Sequence, residues 1–366
     1  MKRLIVSLVL LSSAAFATLA ADSKPASREM VMAKAIKYLK SAQEANGGWS
    51  TQRSPGITGV VLTALLKSGV QPGDEVAEKG LKFVEGLVNE KAGHIAGKDP
   101  KVQLQNYVTS VNVMALVEAN RDKRYQAVIG NATEFLKNLQ FDEGEGKTPK
   151  DDFYGGAGYD SKSRPDLSNT QFFLDALQAA GVPKDDPAVK RALIFVSRCQ
   201  NFKSENNDRP WAGQINDGSF IYTPAAGGET KVDVKDGSKV GYGSMTYAGI
   251  KSMIYCGVSK DDPRIQKAME WISKHYSVDE NPGMGPQGHQ ALYYYYHTMA
   301  KSLATAGVNE ITTPDGKKHN WRNDLVEALA KRQRPDGSWV NEADRWMEGD
   351  PNLVTAYALL ALSYCK

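Results

Sequence analysis

The 366-residue chain has only three cysteines, Cys199, Cys256 and Cys365, and five histidines. An odd cysteine count allows at most one internal pair, which excludes a disulfide-stapled scaffold. Metal-binding spacing is missing as well: neither CxxC nor HExxH occurs, so no metal site and no cofactor is expected. Charge of one sign is not in excess, since 45 basic against 42 acidic residues leave a formal charge of +3. That balance gives a nucleic-acid partner no electrostatic footing. Beyond residue 21 no apolar run is long enough to span a bilayer, so no stable membrane span is expected in the processed chain. Alternating strand patterns are nearly absent, which points away from a sheet-based fold.

The one apolar run stands at the start. Lys2 and Arg3 precede Leu4 to Leu11, and small residues around Ala15, Ala17, Ala20 and Ala21 offer cleavage sites. Residues 1–21 are read as a signal peptide and residues 22–366 as a single domain, secreted or periplasmic. The cysteines are read as buried, half-hydrophobic residues at helix ends.

What the chain does have is an internal repeat. A basic or small residue, Ala or Gly, two residues, an aromatic, an aliphatic, three residues and Gln recur in 34–43 (KAIKYLKSAQ) and 191–200 (RALIFVSRCQ). Looser copies are 131–140, 324–333, 79–88 with Val88 in the Gln place, and 267–276 with Tyr276 there. The copies lead into Gly-rich loops such as NGGWS (46–50), YGGAGYD (154–160) and PDGSW (335–339), and then into second, more apolar helices. Those helices cover 57–69, 107–120, 167–181, 244–257, 289–307 and 352–365. Six helical hairpins that cannot bury their own faces must stack on neighbours. Neither terminal copy has a polar cap, so closure into a ring is expected, with first helices outside and second helices lining the lumen. Insertions at 142–153, 201–240 and 309–320 are expected to add irregular surface over one mouth.

With these residues in place, the stretch from Lys34 to Trp49 resembles the QW repeat of the squalene cyclases and their relatives. Gln333, Gly337 and Trp339 match its second half, and 241–252 (GYGSMTYAGIKS) and 292–303 (LYYYYHTMAKSL) resemble the prenyltransferase and squalene-oxidase repeat group. The resemblance implies an all-α fold, an α/α toroid, which hosts terpenoid cyclases, protein prenyltransferase β subunits and complement-type thioester domains. It implies an apolar, isoprenoid-type small molecule in the lumen. Gln43 is expected to bond backbone groups of a neighbouring helix, with Trp49 packed as structure rather than as a ligand contact.

The family's catalytic motifs do not carry over. No DxDD is present; Asp185-Asp186-Pro187 and Asp261-Asp262-Pro263 read as helix starts instead. The chain is about half the length of two-domain cyclases. Cys256 and His297 fall short of a zinc set because Ile254 stands where the prenyltransferases need Asp, and Cys256-Gly257 continues with Val258 rather than a thioester motif.

The candidate site is therefore sought on the second helices. In 167–181, Ser168, Gln171, Asp175 and Gln178 form one stripe with Phe172 beside them. Asp175 is the candidate proton donor, since a carboxyl facing an apolar cavity has a raised pKa; the competing reading is a solvated or hydrogen-bonded Asp in a wet cavity. In 289–307, His289, Tyr293 and Tyr296 share one face and Gln290, Tyr294 and His297 the next. The candidate ligand-binding set is Tyr107, Asn112, Gln171, Tyr247, His289, Tyr293, Tyr296 and His297, with Tyr242 and Tyr357 near it. Three readings compete: an isoprenoid-binding, terpene-cyclase-like protein, a non-catalytic scaffold, and an exported carbohydrate-active toroid. A lumen walled by Leu, Phe and Tyr with one acid favours the first. An open groove with paired carboxylates favours the third.

Overall fold

In each of six helical pairs the two members differ in how they are buried. The computed structural model describes residues 27–99 and 104–366, and the leader expected over residues 1–21 lies outside them. The first members are α1 (Arg28–Ser41), α3 (Glu75–Gly86), α5 (Gln126–Asn138), α7 (Pro187–Arg198), α9 (Pro263–His275) and α11 (Trp321–Arg332). Each buries one stripe; α9 buries Ile265, Ala268, Trp271 and Ile272, the pattern of a helix with solvent along its outer side. The second members are α2 (Pro55–Lys67), α4 (Gln105–Ala119), α6 (Leu167–Ala179), α8 (Gly243–Tyr255), α10 (Leu292–Ala306) and α12 (Pro351–Ser363). They are buried nearly all round, as α2 is from Gly56 to Leu66.

The second helices close on themselves: α2 packs on α4, α4 on α6, α6 on α8, α8 on α10, α10 on α12 and α12 back on α2. The chain is an α/α toroid, as expected, with the first helices outside. Among the described residues the only strands are the two-residue pair Ile311–Thr312 and Lys318–His319. They lie in the 309–320 insertion, which packs on the outer layer through Ser273 and Thr312. Asp186 and Asp262 start their helices as read from sequence, accepting bonds from Ala188 N at 2.8 Å and Arg264 N at 2.9 Å. Cys199, Cys256 and Cys365 are free thiols at or just past helix ends.

The repeat residues are the fasteners of the outer layer. The Gln43 amide donates to Gly47 O at 2.8 Å in its own loop and to Val76 O at 2.9 Å in the next outer helix. Gln140 does the same to Gly155 O and Ala188 O, and Gln200 to Gly218 O and Arg264 O. Gln333 donates to Gly337 O at 3.0 Å and to Val31 O at 2.9 Å, which joins the last outer helix to the first. Where the repeat has Tyr276, its hydroxyl reaches Asp324 of α11 at 2.9 Å; Val88 has no polar group to offer. Beside each Gln, a glycine at positive φ sits against a carbonyl of the next outer helix. A Cβ at Gly47, Gly155, Gly218 or Gly337 would lie within 2.4 Å of such an oxygen, so only glycine permits the approach. Trp49 and Trp339 are wholly buried. Their indoles donate to Leu39 O at 2.7 Å and Leu329 O at 2.9 Å, so Trp49 is structural, as its place in the repeat suggests.

Gly337→Ala tests this fastening. Gly337 has φ +92 and an added Cβ would lie 2.4 Å from Lys34 O, so the methyl is expected to lower unfolding free energy by roughly 2–4 kcal/mol. Gly69→Ala, at φ +101 with nothing within 4 Å, should cost only the backbone term of about 1–2 kcal/mol. Equal losses in urea unfolding would show that close packing at the seam is not what the glycine serves.

Candidate functional site

Because the inner helices run in one sense around the ring, their N-terminal ends gather at one mouth and their C-terminal ends at the other. Each mouth opens into its own chamber of the lumen, and Phe172 and Tyr357 line both chambers. At this waist the Tyr107 and Tyr357 hydroxyls meet at 3.4 Å, and the His297 ring stacks on Tyr357 with centroids 5.7 Å apart.

The N-terminal chamber holds about 940 Å³ of empty space, its open mouth included. Eight aromatic rings wall it: Tyr107, Tyr159, Phe172, Tyr222, Tyr242, Tyr294, Trp346 and Tyr357. Several of their hydroxyls are occupied, which leaves ring faces toward the space. Tyr294 OH meets Ser168 Oγ at 3.0 Å and accepts from Gln171 Nε2. Leu, Met and Ala residues line the rest together with Ser168, Asn169, Ser244 and Asn281, whose side chains are bonded to Tyr294, Asp166 and each other, and Glu348 is the one carboxyl that lines it among the described residues. The mouth is covered partly by the 201–240 insertion, through Tyr222, while Trp346 remains 36% exposed under the Arg345 guanidinium.

Two features mark this rim. Leu104, Ala291, Trp346 and Met347 all have positive φ, at 61°, 54°, 58° and 67°, and all four line the chamber. Such backbone costs about 1–3 kcal/mol per residue and gathers at functional sites. The second feature is Glu348, buried where α10 begins. Its carboxyl accepts from Tyr294 N at 2.7 Å, Tyr293 N at 3.3 Å and Asn341 Nδ2 at 2.6 Å. Burial nevertheless raises its pKa to about 7, against the opposing pull of those donors. Asp166, the α6 N-cap, is likewise buried and raised to about 6 despite its bonds from Asn169.

The C-terminal chamber, with about 1000 Å³ of empty space counted the same way, is polar at its centre. Asp175 lies in its wall and is 1% exposed. Lys251 Nζ reaches one of its oxygens at 2.7 Å and Lys301 Nζ the other at 2.9 Å. Burial alone would raise the Asp175 pKa; the two ammonium groups overcome it and hold the carboxyl below its ordinary value. Of the two readings of Asp175, the proton donor with a raised pKa is not found and the bonded carboxylate is. It faces the lumen as expected, but as an ionised ion-pair partner with no proton to give. Lys251 is drawn down to about 8 by its own burial, only partly offset by Asp175, while Asp175 holds Lys301 above the usual lysine value against burial. Burial, then the lysines, push His297 far below its usual pKa, so it is neutral.

Of the other sequence candidates, Tyr107 lines the first chamber and His297 the second. Gln171 stands behind the wall, orienting Tyr294. Asn112 instead ties α4 to a loop through Ile95 O at 2.8 Å. Tyr247 packs on Tyr295, and Tyr293 packs edge-on against Tyr296, whose hydroxyl bonds Val278 O at 2.6 Å; these three are core. His289 is exposed and outside the helix, because Ala291 turns left-handed before α10 begins at Leu292. The lumen face of α10 is the other one, Tyr294 and His297, continued by Lys301 one turn on. That spacing also points to Lys301, whereas Glu348 and Trp346, on a loop, carry no periodic signal.

No protein-family model matches the chain, and no curated protein does. Among solved structures it is similar to the type II terpene cyclase MstE from Scytonema, in a single-site variant without ligand. Identity is 13% and the TM-score 0.56, over 92% of this chain and 96% of that one. It is also similar to a glycosyl hydrolase family 88 protein from Bacteroides vulgatus, at 11% identity and a TM-score of 0.51, over 92% and 98% of the two chains. These likenesses establish the toroid.

Asp175→Asn should leave two buried ammonium groups without their counter-ion and cost about 3–5 kcal/mol; a loss under 1 kcal/mol in urea unfolding would contradict the ion-pair reading. Glu348 has a folded pKa of about 7 against an ordinary value of 4.5, so the folded chain binds the extra proton between those values. Its contribution is therefore unpenalised below about pH 4.5 and is lost as pH rises toward 7, by about 3 kcal/mol in total. The stability of Glu348→Gln relative to the parent should accordingly improve by about that amount from pH 4 to pH 8, roughly. A pH-independent difference would contradict the raised pKa.

Proposed function

We propose that this protein binds an apolar, isoprenoid-type ligand in the aromatic chamber and holds it without converting it. The observation that carries this reading is the wall itself: eight rings with Leu, Met and Ala between them, one acid, and Ser168, Asn169, Ser244 and Asn281 whose side chains are already bonded within the protein. Ring faces and aliphatic groups recover the free energy of removing a hydrocarbon from water and ask for no polar partner. The strained rim supports the same chamber as the working one.

Turnover of a terpene-cyclase kind would need an acid strong enough to protonate a carbon–carbon double bond. Glu348 is a weaker acid than free glutamate, with a pKa of about 7, and it is engaged by backbone donors. Asp175 is already ionised by its two lysines. Neither suits the task. A carbohydrate-processing reading would need two carboxyls facing one ligand, and Glu348 stands alone among the chamber's described lining residues. The leader expected over residues 1–21 supports placing this binding outside the cytoplasm, in a secreted or periplasmic protein.

Geranylgeraniol is a suitable probe. Titration of the mature protein, followed by tryptophan fluorescence, is expected to show saturable binding, weakened about tenfold (~1.4 kcal/mol) in Phe172→Ala. Gas chromatography of the extracted probe should return the unchanged alcohol. No saturable binding would sink the reading; a cyclised isomer would overturn its non-catalytic part.

A further inference from the structure

The mechanism of ligand holding in the aromatic chamber makes no use of the charged cluster below the waist. The charged side chains in and behind the wall of the C-terminal chamber are Lys67 and Glu118, which pair at 2.5 Å, and Lys251, Lys301 and Asp175. Three cations face two anions, so one positive charge is uncompensated. An unbalanced charge in a buried site is costly unless something pairs with it. The helix C-termini at this mouth do not supply the balance. Their partial negative charge fades within the last turn, and Lys251 and Lys301 stand a turn or more inside α8 and α10.

The donors are also underused. Among the described residues, the only oxygen bonded by the Lys251 ammonium is Asp175 Oδ2, at 2.7 Å. Lys301 has the other Asp175 oxygen at 2.9 Å and the Met114 sulfur at 3.9 Å. A second and independent observation lies beside them. His297 is 5% exposed, lines the same chamber, and its Nδ1 has no hydrogen-bond partner. A buried imidazole nitrogen and an ammonium with free N–H bonds thus face one space whose remaining wall includes Val60, Val111 and Leu360. That is the composition of a pocket for a charged end on an apolar body.

We propose that the natural ligand is a long-chain isoprenoid acid whose chain passes the waist at Phe172 and Tyr357, with its body in the aromatic chamber and its carboxylate end in the C-terminal chamber, paired with the Lys301 ammonium beside His297. The proposal rests on the reading that the lumen holds an apolar ligand, and it specifies that ligand's polar end. One excess positive charge balances a monoanion, which favours a carboxylate over a phosphate carrying close to two charges at neutral pH.

Geranylgeranoic acid and geranylgeraniol share one skeleton and differ in that end. Near neutral pH the mature protein is expected to bind the acid at least tenfold more tightly than the alcohol. In Lys301→Met, which keeps the balanced Lys251–Asp175 pair and therefore its fold, the ratio should fall to about one. Should that variant not fold, the ratio measured on the parent protein decides by itself. Equal affinities of the parent for acid and alcohol would overturn the carboxylate site while leaving the lumen reading in place. Binding of neither would overturn both. Tighter binding of geranylgeranyl monophosphate than of the acid would overturn the carboxylate in favour of a phosphate end.

Discussion

The contact on which everything else depends is the seam where α11 meets α1. Gln333 donates to Val31 O and Gly337 lies against Lys34 O, and a few residues away the Arg28 guanidinium reaches Leu362 O at 2.8 Å. No helical pair in this chain can bury both of its faces alone, so an open array would leave an apolar face at each end. Closing the seam removes both ends at once. It also forces the six inner helices into one direction, because every pair enters the ring by the same outer-then-inner route. From that polarity follows the chemistry of the two mouths. Helix N-termini favour carboxyl groups, and Asp166, Asp350 and Glu348 stand there. The opposite mouth favours cations, and Lys67 stands at the end of α2. The lumen is thus polarised before any ligand is considered.

The repeat was legible in the sequence for a physical reason. Gln43, Gln140, Gln200 and Gln333 each make the same pair of bonds, so one geometry imposes one residue type at each copy. Where the type departs, the geometry departs with it: Tyr276 reaches a carboxyl of the next helix in place of a backbone carbonyl. The face of each inner helix was less legible. A helix buried on all sides shows no polar stripe, and in the run from Tyr293 to Tyr296 periodicity offers several faces of equal merit. Only Tyr294 of the four lines a chamber. The stripe in 167–181 puts Asp175 on the lumen side, but periodicity does not choose between its two charge states, because its partners lie 76 and 126 residues away. His289 was assigned to a helix that starts three residues later, at Leu292; an alanine at positive φ has no sequence signature.

Glu348 links the strain at the rim to the question of activity. Ala291, Trp346 and Met347 hold backbone conformations that would relax if the chain around them were free. Glu348 ties the loop bearing two of them to the start of α10, and Asn341 adds bonds to both Glu348 and His289 O at 2.6 and 2.7 Å. One carboxyl therefore pins the strained loop, satisfies the first N–H groups of α10 and lines the aromatic wall. A group with those obligations cannot swing toward a ligand and surrender a proton without releasing the rim that shapes the chamber. The same bonds that hold the rim in shape make Glu348, the one carboxyl among the chamber's described lining residues, a poor proton donor, and the proposal of binding without conversion rests on that.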